Sequence, residues 1–396
     1  MALHTENHLN LYENALGNYL GKGVKVSLFW KGRVALYAIL KALGIKEGDE
    51  VILPAFTCVV VPNVIIYLGA KPIYVDIDSR TYNVNISKIE ECITKKAKVI
   101  LVQNTFGLSS DLDPIMEIAK KHHLWVVEDC AHGFGGSYKG KTNGTIANAS
   151  IYSTQWNKPF STGIGGIAVT KNTEIAEKLC KVESDIVNPS FKEEIVLKCL
   201  LFVRDKLLNS NTYWTGLKLY RMLSKYNMIL GSSQGYELEK PIMPAGFLKG
   251  MSSTQAKKGM TELNEFDKNI AHRIKIAHFY KKLLLDLGVE LPYEPEYAQH
   301  TFLKFPILVK DRGEFFNMAE KYRIELGDWF LSPIHPVKEN FELWNYYWGK
   351  NPIAEKISQH IVNLPTHPGI DVEYIDKISD FLKKTKDNIY RDFRFN

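Results

Sequence analysis

The sequence predicts an α/β fold built on a largely parallel sheet. From about residue 32 to 170, short β-rich runs alternate with helical runs. This alternation is typical of strands that are joined by right-handed helical crossovers. The 396 residues suffice for a large domain and a smaller one. Because the pattern changes after Gly288, we expect a large domain at 1–288 and a smaller α/β domain at 289–396.

The first half of the chain supplies the elements of this sheet. In order, we expect a helix at 34–43, a strand at 50–53, a helix at 57–68, a strand at 73–75, a helix near 87–93, a strand at 99–102, a helix at 112–122 and a strand at 124–127. Ligand sites in such sheets lie at the carboxyl ends of the strands. Asn104 and Asp129 each follow a strand within two residues, so we expect both to lie within reach of a ligand.

The second half contains a basic segment and then longer helices. Residues 186–235 hold seven Lys or Arg and three Asp or Glu, and their pattern predicts amphipathic helix inserted in the large domain. Such a segment suits a subunit contact or, as a second interpretation, a membrane-surface helix. We further expect a long helix from Ser252 to about Leu285, a strand at 301–309 and a closing helix from Tyr374 to about Thr385.

Composition and charge exclude several classes of protein. The net charge of +6 suits an anionic ligand, but it is too dispersed for a nucleic-acid-binding protein. The five cysteines are scattered, odd in number and without CxxC spacing, which indicates reduced thiols in the cytoplasm. No signal-peptide pattern is present at the start, and no apolar run approaches the roughly 20 residues of a membrane span.

Three residues indicate the chemistry. Lys158 lies between a hydroxyl-rich run and a glycine-rich turn, and bulky neighbours such as Trp156 and Phe160 should bury it. Burial makes a lysine amine more nucleophilic. Asp129 ends an apolar strand, and His132 follows three residues later. An amine that condenses with an aldehyde and a carboxylate that holds a protonated pyridine nitrogen suit pyridoxal 5'-phosphate (PLP).

A phosphate group needs hydroxyls, backbone amides and positive charge. Ser153 lies five residues before Lys158, and Gly32-Arg33-Val34 begins a helix whose free N–H groups attract anions. Arg33 either adds a charge to this site or faces solvent at the helix start.

The glycine-rich turn also matches a dinucleotide-binding signature. Gly163–Ala168 fits GxGxxA, but that motif requires a strand before it and a helix after it. Here the residues up to Thr170 have the pattern of a strand, which argues against a dinucleotide site.

Five boxes in this order resemble the DegT/DnrJ/EryC1/StrS family of PLP-dependent sugar aminotransferases. The boxes are Lys31-Gly-Arg-Val-Ala-Leu36, Gly48-Asp-Glu-Val-Ile-Leu-Pro-Ala-Phe-Thr57, Gly69-Ala-Lys-Pro-Ile-Tyr-Val-Asp76 with Thr81-Tyr-Asn83, Glu128–Gly135 and Ser153–Gly166. The resemblance implies PLP fold type I, with a mostly parallel seven-stranded sheet flanked by helices in the large domain.

The same resemblance implies roles for individual residues. Lys158 would bond to PLP, Asp129 would pair with its pyridine nitrogen, and His132 would lie near its ring. The other expected cofactor contacts are Gly32, Arg33, Val34, Thr57, Asn104, Ser153 and Gln155, and the expected substrate contacts are Cys58, Lys249 and His335. The implied reaction moves an amino group from glutamate to a keto or aldehyde sugar, nucleotide-linked, for surface polysaccharide such as O-antigen, in a homodimer.

The chain departs from the family pattern at several positions. Arg33 replaces the threonine of the helix-opening SGT, and Cys58 stands where an aromatic residue is common. Leu248–Ser252 lacks the asparagine that usually reaches the partner subunit's phosphate, and Lys249 is adjacent to its place. Two rival functions are a sugar dehydratase, against which Lys158 argues because that branch has histidine there, and a PLP- or sugar-binding protein without turnover.

Overall fold

A seven-stranded sheet forms the centre of the molecule. The computed structural model describes residues 2–207, 216, 222 and 235–391. The strands, in sheet order, are β1 (Lys25–Phe29), β10 (Gly166–Thr170), β9 (Ala149–Ser153), β6 (Trp125–Asp129), β5 (Ala97–Gln103), β2 (Glu50–Pro54) and β4 (Lys71–Val75). Only β10 among them runs opposite to the rest. This arrangement confirms the predicted α/β class and the mostly parallel sheet.

Helices cover the sheet and fill its crossovers. Those of the first half are α1 (Ala2–Leu20), α2 (Gly32–Ala42), α3 (Val60–Tyr67), α4 (Leu112–Lys121), α5 (Thr173–Glu183) and α6 (Phe191–Phe202). Helix α2 is buried along almost its whole length, because its apolar residues pack against the sheet and against α3 and α5. Its N-terminus therefore stays fixed beside the carboxyl ends of the strands.

The C-terminal part has a core of its own. Its elements are α7 (Gly235–Glu239), α8 (Ser253–Asn264), α9 (Phe266–Asp286), β12 (Phe305–Leu308), α10 (Arg312–Lys321), α11 (Pro352–His360), β14 (Ile361–Leu364) and α12 (Val372–Lys384). The antiparallel pair β12–β14 packs against α9, α10 and α12 through buried aromatic and aliphatic residues. Short strand pairs complete the fold: β3 (Thr57–Cys58) with β13 (Ile334–His335), and β7 (Ser137–Tyr138) with β8 (Lys141–Thr142) and β11 (Ala298–Gln299).

Several elements differ from those expected. The helix predicted from Thr57 begins at Val60, because Thr57 and Cys58 pair as a strand with distant residues. The helix near 87–93 is two short 3-10 turns, Ile86–Lys88 and Glu90–Cys92. The long helix after Ser252 divides at Glu265, whose φ of −100° and ψ of 0° leave the helical region, and the next residue, Phe266, is fully buried against Phe134. Helix α1 was not predicted at all.

Other expectations hold more closely. The capping box of Ser252 and Gln255 begins α8 where the sequence placed a helix start. Gly166–Thr170 is strand β10, so the glycines of the GxGxxA match precede a strand and not a helix. The basic segment 186–235 is helical from Phe191 to Leu207, and most of its remainder lies outside the described residues. Within the described part of the chain, no helix is both long and apolar enough to cross a membrane.

Candidate active site

A cavity of about 310 Å³ lies at the carboxyl edge of the sheet. Three parts of the fold enclose it: the ends of β5, β6 and β9, the N-terminus of α2, and the segment 329–336, which contains β13. Parallel strands bring their carboxyl ends to one edge, so residues that are distant in sequence meet there. The cavity falls within the size range of small-molecule sites.

Asp129 presents a buried carboxylate to this cavity. It is the last residue of β6, pairs in register with Gln103 of β5, and is only 5% exposed. Burial raises its pKa, while a hydrogen bond from the Ala131 N–H (2.8 Å) and the charge of Lys158 favour the ionised form. The carboxylate is thus held in one orientation and has the Lys158 ammonium as its nearby positive charge.

His132 is buried beside it and stacked on Trp329. The two rings are 4.7 Å apart and within 4° of parallel. Nδ1 accepts a hydrogen bond from the Phe106 N–H (3.3 Å), which leaves Nε2 to carry the proton. Burial, and then the charge of Lys158, hold the pKa of His132 well below its ordinary value, so the ring is neutral.

Lys158 lies in the turn after β9 with its amine against an aromatic face. Its Nζ is 4.4 Å from the centroid of the Trp329 ring, a cation–π contact. Burial lowers the pKa of Lys158 to about 8, although Cys58 and Asp129 oppose the shift. Its backbone N–H donates to the carbonyl of Gln155, and Gln155 also lines the cavity. The amine is therefore nucleophilic near neutral pH.

The opposite side of the cavity is built for an anion. Gly32, the first residue of α2, lies so close to Ser153 that an added Cβ would be 3.0 Å from the serine Cβ. Arg33 forms a buried ion pair with Glu237 of α7 (2.5 Å). Lys31 has its pKa lowered to about 8, first by burial and then by the charge of Arg33. A helix N-terminus, a hydroxyl and two cations thus surround a narrow cradle.

A two-residue strand pair brings the expected substrate residues to the cavity. Thr57 pairs with Ile334 and Cys58 with His335, so Cys58 and His335 are direct neighbours. Both line the cavity. Burial lowers the pKa of His335 to about 4, and its Nδ1 accepts from the Leu331 N–H.

Four expected contacts, Val34, Thr57, Asn104 and Lys249, lie outside the cavity lining. The amide of Asn104 is engaged with the fully buried Glu128 (2.8 Å) and with the Ser110 N–H (3.0 Å). The Lys249 ammonium pairs with Glu193 at 2.6 Å. The N–H of Val34 donates to the Lys31 carbonyl. Contacts of these four residues with a ligand stay predictions, whereas the other expected site residues line the cavity itself.

Thr57 and four further residues complete the surroundings of the site. The Thr57 hydroxyl donates to Gln103 at 3.1 Å, and Gln103 lines the cavity. Sequence reasoning missed Gln103, although it directly precedes Asn104. It also missed Lys31, Trp329 and Phe330, of which the last two lie close to His335 in the chain. Only tertiary packing shows that the Trp329 ring faces Lys158 and that Phe330 lines the same cavity.

The residues present fit PLP. The amine of Lys158 and the carboxylate of Asp129 open into one cavity, and each influences the charge of the other. A glycine-lined cradle with the Ser153 hydroxyl and two cations lines the same cavity. Amine, carboxylate and anion cradle are the three features that an aldehyde, a pyridine nitrogen and a phosphate require.

Comparisons with known proteins agree with this site. The model of the DegT/DnrJ/EryC1/StrS aminotransferase family matches residues 2–383. GDP-perosamine synthase of Escherichia coli O157:H7 is 30% identical over 382 residues, which cover 96% of this chain and 90% of that protein. UDP-N-acetyl-3-dehydro-alpha-D-glucosamine 3-aminotransferase of Acidithiobacillus ferrooxidans is 27% identical, with 89% of this chain and 82% of that protein covered.

The fold is shared with solved structures. A Streptococcus pneumoniae protein described as a sugar aminotransferase, in its PMP form, aligns with a TM-score of 0.75 at 21% identity. The alignment covers 96% of this chain and 92% of that one. Together with the family match along almost the whole chain, this similarity confirms the expected fold type and enzyme class. The chain belongs to the DegT/DnrJ/EryC1/StrS aminotransferase family, whose enzymes depend on PLP.

Proposed function

We propose that this aminotransferase moves an amino group from glutamate to a keto or aldehyde sugar carried on a nucleotide, for surface polysaccharide synthesis. The observation that carries the proposal is the buried Lys158–Asp129 pair in a cavity with an anion cradle. The names of two relatives, a GDP-perosamine synthase and a UDP-sugar 3-aminotransferase, support a nucleotide sugar as acceptor. The net charge of +6 suits such an anionic substrate.

PLP, when bound, supplies an aldehyde that takes up the amino group and a ring that accepts electron density from the substrate carbon. Lys158 supplies the amine that holds the aldehyde. With a pKa of about 8, roughly one amine in ten is neutral at pH 7, against fewer than one in about a thousand at the ordinary value of 10.5. The same Nζ then moves the proton at the substrate carbon.

The other residues of the site would orient PLP and polarise its ring. The Asp129 carboxylate, fixed by the Ala131 N–H, would hold the proton on the pyridine nitrogen of PLP. His132 is neutral and keeps Nε2–H as a donor, because Nδ1 is occupied by Phe106. The α2 N-terminus, Ser153 and Lys31 would bind the phosphate, together with Arg33, whose guanidinium also pairs with Glu237. Trp329 covers the Lys158 amine and limits its contact with water.

A homodimer is part of the proposal. Helix α6 exposes Phe191 (77%) and Phe202 (60%), and only Leu197 and Leu201 of this helix are buried. Large exposed apolar side chains on one helix mark a surface that binds another molecule. We propose that a second copy covers it. All five cysteines are free thiols, which supports the cytoplasm as the compartment.

The decisive experiment is a panel of acceptors. The PLP-loaded enzyme is incubated with glutamate and a series of nucleotide-linked 3-keto sugars, 4-keto sugars and sugar aldehydes, and 2-oxoglutarate is measured. We expect turnover with at least one nucleotide-linked sugar and no turnover with pyruvate or oxaloacetate as acceptor. Turnover with simple keto acids alone would contradict the sugar assignment but not the transaminase chemistry.

A further inference from the structure

The indole ring of Trp329 forms part of the cavity wall beside the reactive amine. It lines the cavity, and the Lys158 Nζ is 4.4 Å from the centre of the ring. The ring also stacks on that of His132, with 4.7 Å between the ring centres. For proton transfer, a substrate carbon must come within about 3.5 Å of the Lys158 Nζ. Such a carbon arrives next to the indole ring.

The backbone around Trp329 is tied to the C-terminal core. Its N–H donates to the side chain of Asn363 at 3.1 Å. Two residues earlier, Gly327 exchanges backbone hydrogen bonds of 2.8 and 3.0 Å with the same asparagine. Asn363 belongs to β14 and is fully buried. The ring is therefore carried by a segment that a buried strand holds in place, and such support keeps a binding group in a precise position.

Trp329 offers a ring and a donor that its neighbours leave available. Of the described residues that line the cavity, only Trp329 and Phe330 carry an aromatic hydrocarbon ring. Phe330 is 2% exposed and packs against Phe56 (4.8 Å) and Phe106 (5.8 Å). Trp329 is only half-buried, and its indole N–H donates to no other described residue. A ligand in the cavity can therefore use both the ring and the N–H.

The groups that fit PLP belong to other elements. Asp129 ends β6, Ser153 ends β9 and Gly32 begins α2, so these contacts lie on the large sheet and on the helix packed against it. Trp329 comes from the opposite part of the fold, the segment 329–336. The cofactor thus has its contacts on the sheet side of the cavity, and the indole ring is left for a substrate.

We infer that Trp329 binds the acceptor sugar, with its indole ring against the C–H groups of the sugar ring and its N–H toward a sugar oxygen. The inference rests on the proposed function and adds the residue that recognises the sugar. A sugar ring exposes C–H groups on its faces and hydroxyls at its rim, so its face gains from burial as an apolar surface does. Tryptophan matches both parts, because it has an apolar body and one polar N–H.

The test compares a nucleotide sugar with its nucleotide. UDP-N-acetylglucosamine and UDP differ by the sugar, and GDP-mannose and GDP form a second such pair. Their affinities for the PLP-loaded enzyme are measured by calorimetry in Trp329→Leu, Trp329→Phe and a matched control, Trp348→Leu. Trp348 is 54% exposed and lies outside the cavity lining.

The affinity for the nucleotide sugar, divided by that for the nucleotide, isolates the contribution of the sugar. We expect Trp329→Leu to lower this ratio about tenfold, or about 1.4 kcal/mol, for at least one pair. Trp329→Phe keeps a ring and should lower it less than threefold, and the control should match the wild type. For a keto sugar that the wild type aminates, Trp329→Leu should raise KM about tenfold, with a smaller effect on the half-reaction with glutamate.

The other results contradict the inference in different ways. An unchanged ratio in Trp329→Leu for both pairs would show that the ring does not meet the sugar. Weaker PLP binding and a shifted visible absorbance, with the ratio unchanged, would assign the ring to the cofactor. Failure of the wild type to aminate any sugar would refute the proposed function, whereas a ratio lowered only in Trp329→Leu would still support a sugar contact at Trp329.

Discussion

At the residue scale, burial shifts the site's ionisable groups in opposite directions. The same loss of hydration lowers the pKa of Lys158 and of His132 and raises that of Asp129, because it disfavours whichever form is charged. The charges of Lys158 and Asp129 then restore part of the ionisation that burial removes. One cavity thereby holds the partly neutral amine of Lys158 and the neutral imidazole of His132. In the same cavity, the neighbours of the Asp129 carboxylate favour its ionised form.

Replacing Lys158 by alanine should abolish turnover and leave the fold intact. The amine is the group that bonds to the PLP aldehyde and moves the proton, and its removal leaves only a small cavity beside Trp329. The measurements are 2-oxoglutarate formation, the visible absorbance of bound PLP and the thermal unfolding midpoint. Residual turnover close to that of the wild type would refute the assigned role.

Replacing Asp129 by asparagine should slow turnover while PLP still binds. A neutral amide cannot hold the pyridinium proton, and losing a buried charge-assisted contact costs about 2–5 kcal/mol, or roughly thirtyfold to several-thousandfold in rate. Steady-state kinetics and PLP titration of the variant provide the test. A variant with the wild-type rate would assign Asp129 to structure alone.

The rate of PLP uptake by the cofactor-free protein should rise with pH and level off above about pH 9. The neutral amine is the nucleophile, and its fraction increases through the pKa of Lys158 at about 8. His335, with a pKa of about 4, stays neutral in this range and adds no second inflection. Stopped-flow absorbance from pH 6 to 10 measures the profile, and a midpoint near 10.5 would contradict a buried amine.

The same shift has a consequence for stability. Because the folded pKa of Lys158 lies below its ordinary value of 10.5, the unfolded chain binds the extra proton between about pH 8 and 10.5. Stability of the cofactor-free protein should therefore rise with pH across this window when compared with Lys158→Met.

At the element scale, helix α2 and strand β9 together make the anion cradle. The first residue of α2 is Gly32 and the last residue of β9 is Ser153, and they lie so close that a side chain at the glycine would push against the serine. The helix is anchored by its buried apolar face, so the cradle depends on the packing of the whole element. Local sequence supplies the residues, and the docking of the helix sets their distance.

Gly32→Ala should weaken PLP binding about tenfold or more with little change in thermal stability. The new Cβ would lie 3.0 Å from the Ser153 Cβ and 3.2 Å from its hydroxyl oxygen, so the serine must shift by a few tenths of an ångström and its hydroxyl with it. Gly313→Ala, in the first turn of α10 with its nearest contact at 3.4 Å, serves as the control. PLP titrations of both variants provide the comparison, and equal affinities would show that the cradle does not bind phosphate.

At the scale of the whole molecule, assembly and domain division remain proposals. The core of β12, β14 and the helices α9, α10 and α12 is a cluster separate from the cores around the large sheet, which supports a smaller C-terminal domain. Because α9 contributes to this core, it also includes residues before the proposed boundary at 288. The exposed apolar side chains of α6 support a contact between subunits.

Phe191→Asp combined with Phe202→Asp should convert a dimer into a monomer of 45.2 kDa. Charged side chains at these positions would be unpaired and buried if a second copy covers α6. Light scattering gives the mass, and Val372→Asp is the matched control, since Val372 is 74% exposed on α12. A wild-type protein that is monomeric at micromolar concentration would refute the dimer, and a dimer unaffected by the double substitution would place the contact elsewhere.

The sequence by itself determined the fold class and the central chemistry. Alternation of strands and helices predicts the parallel sheet, because period and propensity are local properties of the chain. Lys158, Asp129, His132 and Ser153 were found because each lies in a short motif beside a strand end. Such motifs can be identified from the sequence alone, because residues that follow the carboxyl end of a parallel strand lie at the edge of the sheet where ligands bind.

Only the tertiary structure decided which distant residues join them. His335 was expected there from the family resemblance, but Trp329 reaches the site because the two-residue strand that follows it pairs with Thr57 and Cys58, and no local pattern announces that pairing. Likewise, Glu237 meets Arg33 across a sequence separation of 204 residues. Long-range contacts depend on how whole helices and strands dock against one another. The docking depends on the sum of many burial free energies, and no single segment of the sequence contains that sum.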